Sequence, residues 1–190
     1  MSVLYAVRSR FTDPAREDEW NDWYAGHIDV MLGVPGFHSA QRFHSTETPD
    51  DRPYLALYEV ESPDVFTSEP YVAIWGFHDW RPLIDNWTRD LFEREEGGPF
   101  DFGTPRDSRL SASFVSGDAG AVREALAAMS PQASTAVAMG LDGSCGGIAW
   151  EVLSGDEPPG ATPAPPGVDI TRTIYNPFTE YRTEPRTVTQ

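Results

Sequence analysis

One histidine stands where an imidazole could act as a general acid or base. His27 lies in a predicted helix of about residues 14–32. At ~100° per residue, its side chain shares one apolar stripe with Trp20, Tyr24 and Met31. Apolar neighbours can tune the pKa of an imidazole for proton transfer. The position also suits a core histidine that donates one hydrogen bond to a carbonyl group, and both interpretations stay open.

Aromatic side chains could supply the rest of a small-molecule site. The chain has six tryptophans and seven tyrosines. Large aromatic residues mostly fill cores, but they can also wall a pocket for a flat substrate. The hydroxyl of Tyr58 or Tyr71 could stabilise a developing enolate by hydrogen bonding, so both tyrosines are catalytic candidates. Trp23, Tyr24 and Trp75 are candidates for substrate binding.

Three further polar side chains share one face of a predicted strand, residues 37–44. His38, Arg42 and His44 occupy alternate positions of its period-two pattern. If this face points into a barrel, the three side chains could bind an oxyanion or a phenolate. If it points to solvent, they form a hydrated edge, which is the commoner arrangement for a polar strand face.

Metal and nucleotide sites are not predicted. Cys145 is the only cysteine, and the four histidines form no H-x-x-x-H or H-E-x-x-H pair. The glycine-rich residues 140–147 lack the Lys-Ser/Thr of a phosphate loop, and Ser144 is not in a G-x-S-x-G context. His78, next to Asp79, is expected at the surface or in a local cap. Haem stays open, because a lone histidine can be its axial ligand.

The charge balance argues against polyanionic partners. Thirty acidic and fourteen basic residues give a net charge of -16, which repels nucleic acid and anionic membranes. The short apolar run at the N-terminus, followed by arginines, is not a signal peptide, and no apolar stretch approaches the ~20 residues of a membrane helix. With one cysteine and no internal disulfide, a cytoplasmic protein is expected.

Hydrophobic periodicity and turn residues predict two successive series of elements. The first comprises strands over residues 3–10, 37–44 and 54–61 and helices over residues 14–32, 63–75 and 79–95. The second comprises strands over residues 110–115, 134–139, 148–153 and 170–175 and a helix over residues 119–129.

This order predicts an α+β fold with an antiparallel sheet and helices on one face. Residues 1–100 form a ferredoxin-like half, and residues 108–176 form a second, degenerate half or a C-terminal extension, followed by a tail over residues 177–190. Alternatively, one ferredoxin-like domain takes residues 110–115 as its fourth strand. The open sheet face requires cover. We therefore expect a homodimer or an intramolecular pseudo-dimer.

Three segments in about residues 1–75 resemble the EthD-like branch of the dimeric α+β-barrel superfamily. They are an E-x-x-x-W-Y-x-x-H helix from Glu19 to His27, a V-P-G-F turn at residues 34–37 and a Y-L-A-L-Y-E strand at residues 54–59. The resemblance implies a ferredoxin-like fold, strands that line a cavity, usually a dimer, and a histidine at position 27. The superfamily includes polyketide cyclases, lactone isomerases, cofactor-free monooxygenases and haem-active enzymes, so it implies function only loosely.

We expect a cofactor-independent enzyme of the lyase, isomerase or cyclase type that acts on a small aromatic or polyketide-like ketone or phenol. In this hypothesis His27 abstracts or relays a proton, Tyr58 or Tyr71 stabilises the enolate, and the tryptophans exclude water. One alternative is a non-catalytic small-molecule binding or accessory protein. Another is a cofactor-free monooxygenase in which the substrate carbanion reduces dioxygen. All three hypotheses require the same cavity.

Overall fold

The computed structural model of the chain describes residues 2–46, 51–94, 97–160 and 164–183. In these residues the strands and helices are, in chain order, β1 (Val3–Phe11), α1 (Glu17–Leu32), β2 (Phe37–His44), β3 (Tyr54–Val60), α2 (Glu69–Val72), β4 (Ile84–Glu93), β5 (Ser108–Ser116), α3 (Ala119–Ala127), β6 (Ser134–Leu141), β7 (Gly147–Ser154), β8 (Asp169–Pro177) and β9 (Arg182–Thr183). Among these described residues, no helix is long and apolar enough to cross a membrane.

The strands form one antiparallel sheet that closes on itself. Their order is β3-β1-β4-β6-β7-β5-β8-β2, and β2 pairs again with β3, which completes an eight-stranded barrel. The order is β2-β3-β1-β4 in the first half and β6-β7-β5-β8 in the second, so each half is ferredoxin-like. The predicted fold class is confirmed. Each half covers the sheet face that the other half leaves open.

Local sequence explains where the two longer helices begin. The Asp13 carboxylate accepts a hydrogen bond from the Ala15 amide, and Pro14 opens the 3₁₀ turn that leads into α1. Proline suits this position because its missing N–H would have no helical partner there. The Asp118 side chain caps α3 by accepting hydrogen bonds from the amides of residues 120 and 121.

Successive side chains along each strand point alternately into the barrel and out of it, which gives one inner hydrophobic core and two outer ones. In β1, Tyr5 packs outside the barrel beneath α1, while Leu4 and Ala6 point into the barrel. The side chains of α3 pack on the outside of the second half. Burial on both faces explains why residues 3–7 of β1 are continuously apolar. The inner core includes Leu4, Ala6, Phe43, Leu55, Leu57, Phe92, Leu110, Phe114, Ile148, Trp150 and Tyr175.

One part of the barrel interior is polar. Ser144 donates its hydroxyl and its amide to the Asp90 carboxylate, at 2.5 and 2.7 Å. Arg8 Nη2 donates to the Ser144 hydroxyl at 2.7 Å, and the Arg8 guanidinium lies 3.6 Å from the centroid of the Phe114 ring. This cluster joins β1 and β4 of the first half to the β6–β7 loop and β5 of the second.

The helix predicted over residues 79–95 is wrong. A 3₁₀ helix, His78–Leu83, is followed by strand β4. Pro82 cannot donate to a helical ladder, and the residues after it bury two opposite faces, with Leu91 outside the barrel and Phe92 inside. The apolar residues that resembled a helical stripe belong to two elements. Trp80 and Leu83 lie in the 3₁₀ helix, and Ile84, Trp87 and Leu91 pack on the outer side of β4.

Two other expectations are corrected in the same region. The predicted helix over residues 63–75 is a 3₁₀ helix, Pro63–Thr67, followed by the single turn of α2. The alternative that used residues 110–115 as the fourth strand of one domain is wrong, because β4 pairs with β1 in that place. In the tail, β9 pairs with β2, and residues 184–190 lie outside the described residues.

Candidate functional site

A small cavity lies on the outer face of the first half, between the sheet, α1 and the segment that follows α2. Its volume is about 30 Å³, which is room for one or two water molecules. Strands β1, β3 and β4 supply its floor, and α1 supplies one wall. The lining residues are Tyr5, Val7, Tyr24, His27, Met31, Tyr58, Tyr71, Trp75, Gly76, Phe77, Trp87 and Arg89.

Four tyrosines of this cavity bring their hydroxyl groups together. The hydroxyl oxygens of Tyr5 and Tyr71 are 3.5 Å apart. Tyr24 and Tyr58 interact through their side-chain hydroxyls. Burial raises the pKa of all four tyrosines above the ordinary value, so each hydroxyl remains protonated near neutral pH. The cavity is therefore lined by neutral hydrogen-bond donors.

His27 projects from α1 at the edge of this cavity and is partly buried. The ring of Trp23, one turn earlier in the helix, stacks on its imidazole with centroids 4.7 Å apart. Burial first, and His78 second, lower the pKa of His27 from 6.5 to about 4. The imidazole is consequently neutral at physiological pH and has a nitrogen that can accept a proton.

An open groove of about 500 Å³ runs along the other side of His27. It separates α1 from residues 73–78, and Trp23 forms part of its wall. His78, which is exposed as predicted, also lines it, with its ring centroid 6.1 Å from that of His27. Since His27 lines both spaces, it lies between the small cavity and the open groove.

Arg89, on the outward face of β4, places a cation at the cavity. Its guanidinium lies 4.9 Å from the Trp75 ring centroid and 5.1 Å from that of Trp87. Asp142 accepts hydrogen bonds from the Arg89 amide at 2.8 Å and from Nη2 at 3.2 Å. Arg89 Nε is buried without a hydrogen-bond partner in the described part of the chain. The arginine also acts to lower the pKa of Tyr71, although burial has the larger effect.

The structure brings most of the predicted site residues together. Tyr24, His27, Tyr58, Tyr71 and Trp75 line the cavity, and Trp23 lines the adjoining groove. Sequence reasoning missed Arg89, because residues 79–95 were interpreted as a helix. Correct recognition of β4 would have placed this arginine on the same sheet face as Tyr5.

Arg42, His38 and His44 are not among the residues that line this cavity or the groove. Arg42 is fully buried and faces α1, so the interpretation of its strand face as a hydrated edge is wrong. Its guanidinium lies 4.2 Å from the centroid of Tyr24 and donates to Asn21 Oδ1 at 2.9 Å. Burial lowers its pKa to about 10.

His38 and His44 are both partly buried. The ring of His44 packs on Tyr54, with centroids 4.5 Å apart. This packing places His44 beside Arg42 and Phe178, in a layer behind Tyr24. Burial raises the pKa of the cavity residues Tyr24 and Tyr58, and the nearby charge of Arg42 opposes that rise at both.

The described residues contain no cluster of three or more His, Cys, Asp or Glu side chains that could hold a metal ion. Haem fits poorly beside His27. The cavity is far too small for a macrocycle, and the groove on the other side is open to solvent. The polar side chains at the site are an imidazole, tyrosine hydroxyls and a guanidinium.

No family model and no curated protein matches the chain. Several solved structures are similar to the chain. An anthrone oxidase-like protein superposes with a TM-score of 0.67 at 12% identity, over 98% of this chain and 94% of that one. A proposed monooxygenase from Fusobacterium nucleatum subsp. nucleatum gives a TM-score of 0.57 at 6% identity, over 97% and 94% of the two chains.

A chlorite dismutase variant from Candidatus Nitrospira defluvii gives a TM-score of 0.53 at 8% identity, over 93% of this chain and 92% of that one. All three proteins are similar to this chain over nearly its full length and share its barrel fold. The chain therefore has the dimeric α+β-barrel fold. At such low identities the likeness concerns the fold alone.

Proposed function

We propose that this chain is a cofactor-independent enzyme that removes a proton from a small aromatic or polyketide-like ketone or phenol. The observation that carries the proposal is the position of His27, a neutral imidazole at the boundary between the open groove and the tyrosine cavity. A flat molecule in the groove would meet Trp23 and the imidazole together. Aromatic stacking and proton transfer are then possible at one place.

His27 acts as the base in this proposal. Because its pKa is about 4, the imidazole is in the proton-accepting form across the physiological pH range. The low pKa also makes it a weak base, so the enolate formed requires stabilisation by other groups. A carbon acid that yields a delocalised aromatic enolate fits this requirement better than a simple aliphatic ketone.

Arg89 and Tyr71 supply that stabilisation. Arg89 has a buried Nε without a partner in the residues the structure describes, and the Tyr71 hydroxyl lies in the same cavity. A cationic donor and a neutral donor, both fixed before the reaction, favour negative charge that develops on a substrate oxygen. The cavity holds only one or two waters, so the substrate oxygen enters it while the rings remain in the groove.

The enolate can then react in two ways. In an isomerase, lyase or cyclase, protonated His27 returns the proton to a different atom of the substrate or to a leaving group. In a monooxygenase, the carbanion transfers an electron to dioxygen, and the two radicals combine to a peroxide that takes the proton. Loss of water then gives a new carbonyl group. The names of the anthrone oxidase-like and monooxygenase neighbours favour this second candidate.

Anthrone is a suitable test substrate, because its methylene group is a carbon acid flanked by aromatic rings. Under nitrogen in deuterated buffer, the protein should accelerate deuterium uptake at the methylene carbon, as measured by proton NMR. Under air, an oxygenase should convert one anthrone and one dioxygen into one anthraquinone and one water. Oxygen uptake and product absorbance measure that reaction.

Reactions without protein and with His27→Gln are the controls. Deuterium uptake without oxygen consumption would assign the isomerase, lyase or cyclase type. Binding of anthrone with neither reaction would contradict catalysis and support the non-catalytic binding protein. A protein that does not bind anthrone or a related phenol would contradict the proposed site itself.

A further inference from the structure

The two halves of the barrel are related by a constant register. In the first half, Tyr5 lies opposite Tyr58 of β3 and Leu91 of β4. In the second half, Ser111 lies opposite Glu151 of β7 and Ile174 of β8. Two residues further along, the sets are Val7, Ala56 and Arg89 in the first half and Ser113, Ala149 and Arg172 in the second.

The seams between the halves obey the same correspondence. One seam contains the pair His44–Asn176, which joins β2 to β8. Under the same correspondence, its equivalent is the pair Val137–Glu93, which joins β6 to β4. Both pairs are present in the sheet. Away from the register shifts at Arg8/Arg10, Phe37/Ser39 and Leu91/Phe92, one alignment therefore accounts for the ladders of both halves, and Arg89 and Arg172 occupy equivalent positions.

This correspondence identifies a counterpart of the tyrosine cavity. A space of about 10 Å³ on the outer face of the second half is lined by Ser111, Ser113, Glu151 and Arg172. Their equivalents Tyr5, Val7, Tyr58 and Arg89 all line the first cavity. The arginine is retained, but serines and a glutamate replace the tyrosines and the valine. The second space has lost these aromatic walls.

A later segment of the chain lines one side of this second space at Gly160. The Gly160 amide donates a hydrogen bond to Glu151 Oε1 at 2.6 Å. Glycine is required there, because a Cβ atom on residue 160 would lie 2.5 Å from Ser130 Cβ. Arg172 Nε donates to the Ser113 hydroxyl at 3.3 Å. The Nε atom of Arg172 therefore has a hydrogen-bond partner within the protein, whereas the buried Nε of Arg89 has none among the described residues.

We propose that the second half retains a closed counterpart of the ligand site and that each chain binds one aromatic ligand, in the first half. The proposal rests on the proposed function of the tyrosine cavity. In this proposal Arg89 donates a hydrogen bond to the ligand oxygen, whereas Arg172 donates to Ser113 within the protein. The chain is then a pseudo-dimer with one working site.

Titration calorimetry with 1-naphthol, an aromatic phenol, tests this asymmetry. The wild-type chain should bind one equivalent. Arg89→Met should weaken binding ~10-fold or more, because a hydrogen bond to a charged donor is lost. The matched change Arg172→Met should leave the affinity within ~2-fold, because Arg172 lies in the other half and donates to Ser113 instead of to the ligand. Binding of two equivalents of 1-naphthol by the wild type, or equal losses of affinity in the two variants, would overturn the proposal. If the wild type does not bind 1-naphthol, the proposed function and this inference both fail.

A second measurement does not need a ligand. Hydrogen exchange at the Gly160 amide should be slow in the wild type and faster in Glu151→Ala, which removes the acceptor. Glu151→Gln, which keeps an acceptor oxygen, should restore much of the protection. An amide at residue 160 that exchanges rapidly in the wild type would show that the second space is open, and the proposal would fail.

Discussion

The rings of Trp23 and His27 are stacked, with an interplanar angle of 12° and centroids 4.7 Å apart. The two residues are one helical turn apart on α1, so the helix itself sets this contact. The indole covers one face of the imidazole and fixes its plane. It also withholds water from that face, which contributes to the desolvation that keeps His27 neutral.

The first prediction concerns catalysis by His27. His27→Gln keeps a polar side chain of similar reach but cannot accept the substrate proton. Anthrone turnover should fall by ~10²–10⁴-fold while the fold is retained. His38→Gln is the matched control, because this partly buried histidine lines neither the cavity nor the groove. A variant that loses ~1–3 kcal/mol of stability but turns over normally would make His27 a core hydrogen-bonding residue instead.

The second prediction concerns pH. The pKa of His27 is lowered from 6.5 in an unfolded chain to about 4 in the folded protein, so the unfolded state binds more protons between these values. His27 should therefore cost the protein about 2–3 kcal/mol of stability as the pH falls from 6.5 to 4. Thermal unfolding of the wild type and His27→Gln across this range measures the difference, which should be absent near pH 8.

The lowered pKa of His27 also predicts how the turnover rate depends on pH below neutrality. Activity should stay level from about pH 8 down to about pH 5.5, since His27 remains unprotonated throughout. Rates of anthrone conversion at constant ionic strength measure this profile. A midpoint near pH 6.5 would mean that the catalytic imidazole is exposed to solvent or is a different residue.

The third prediction concerns the polar cluster inside the barrel. Asp90 is fully buried and accepts two hydrogen bonds from Ser144. Asp90→Ala should lower the free energy of unfolding by about 3–5 kcal/mol, because Arg8 then loses its buried counter-charge. Urea denaturation measures the loss. The double change Arg8→Met and Asp90→Leu should recover much of it, and a full additive loss would contradict the coupling.

The fourth prediction concerns mass in solution. The sequence alone led us to expect a homodimer or a pseudo-dimer, because one sheet face needed cover. In the described residues the two halves supply that cover for each other. Light scattering should therefore give the mass of one chain. A stable dimer would require a surface other than the inner sheet face.

The fifth prediction concerns cofactors. Proton transfer through His27, with Arg89 and Tyr71 as stabilising groups, needs no metal. Dialysis against EDTA should leave anthrone turnover unchanged, and titration with haem should give no stoichiometric spectral shift. Loss of activity after chelation, recovered by one particular metal ion, would contradict this prediction.

Local patterns in the sequence determined much of the first half. Asp13 and Pro14 specified the start of α1, and the helical period placed His27 with Tyr24 on one face. Alternation identified β2, and strand-forming residue types after a polar turn identified β3. These features depend on residues close in sequence, which is why they could be predicted without the fold.

Only the tertiary structure decided which residues meet across the barrel. Arg89 joined the site because residues 84–93 form strand β4 and not a helix, and β4 pairs with the distant strand β1. Helix α1 covers the face of β2 that carries Arg42. The alternating pattern of β2 does not indicate which element packs on that face. The equivalence of Arg89 and Arg172 rests on strand register. Register is a relation between distant segments, so neither half of the sequence contains it.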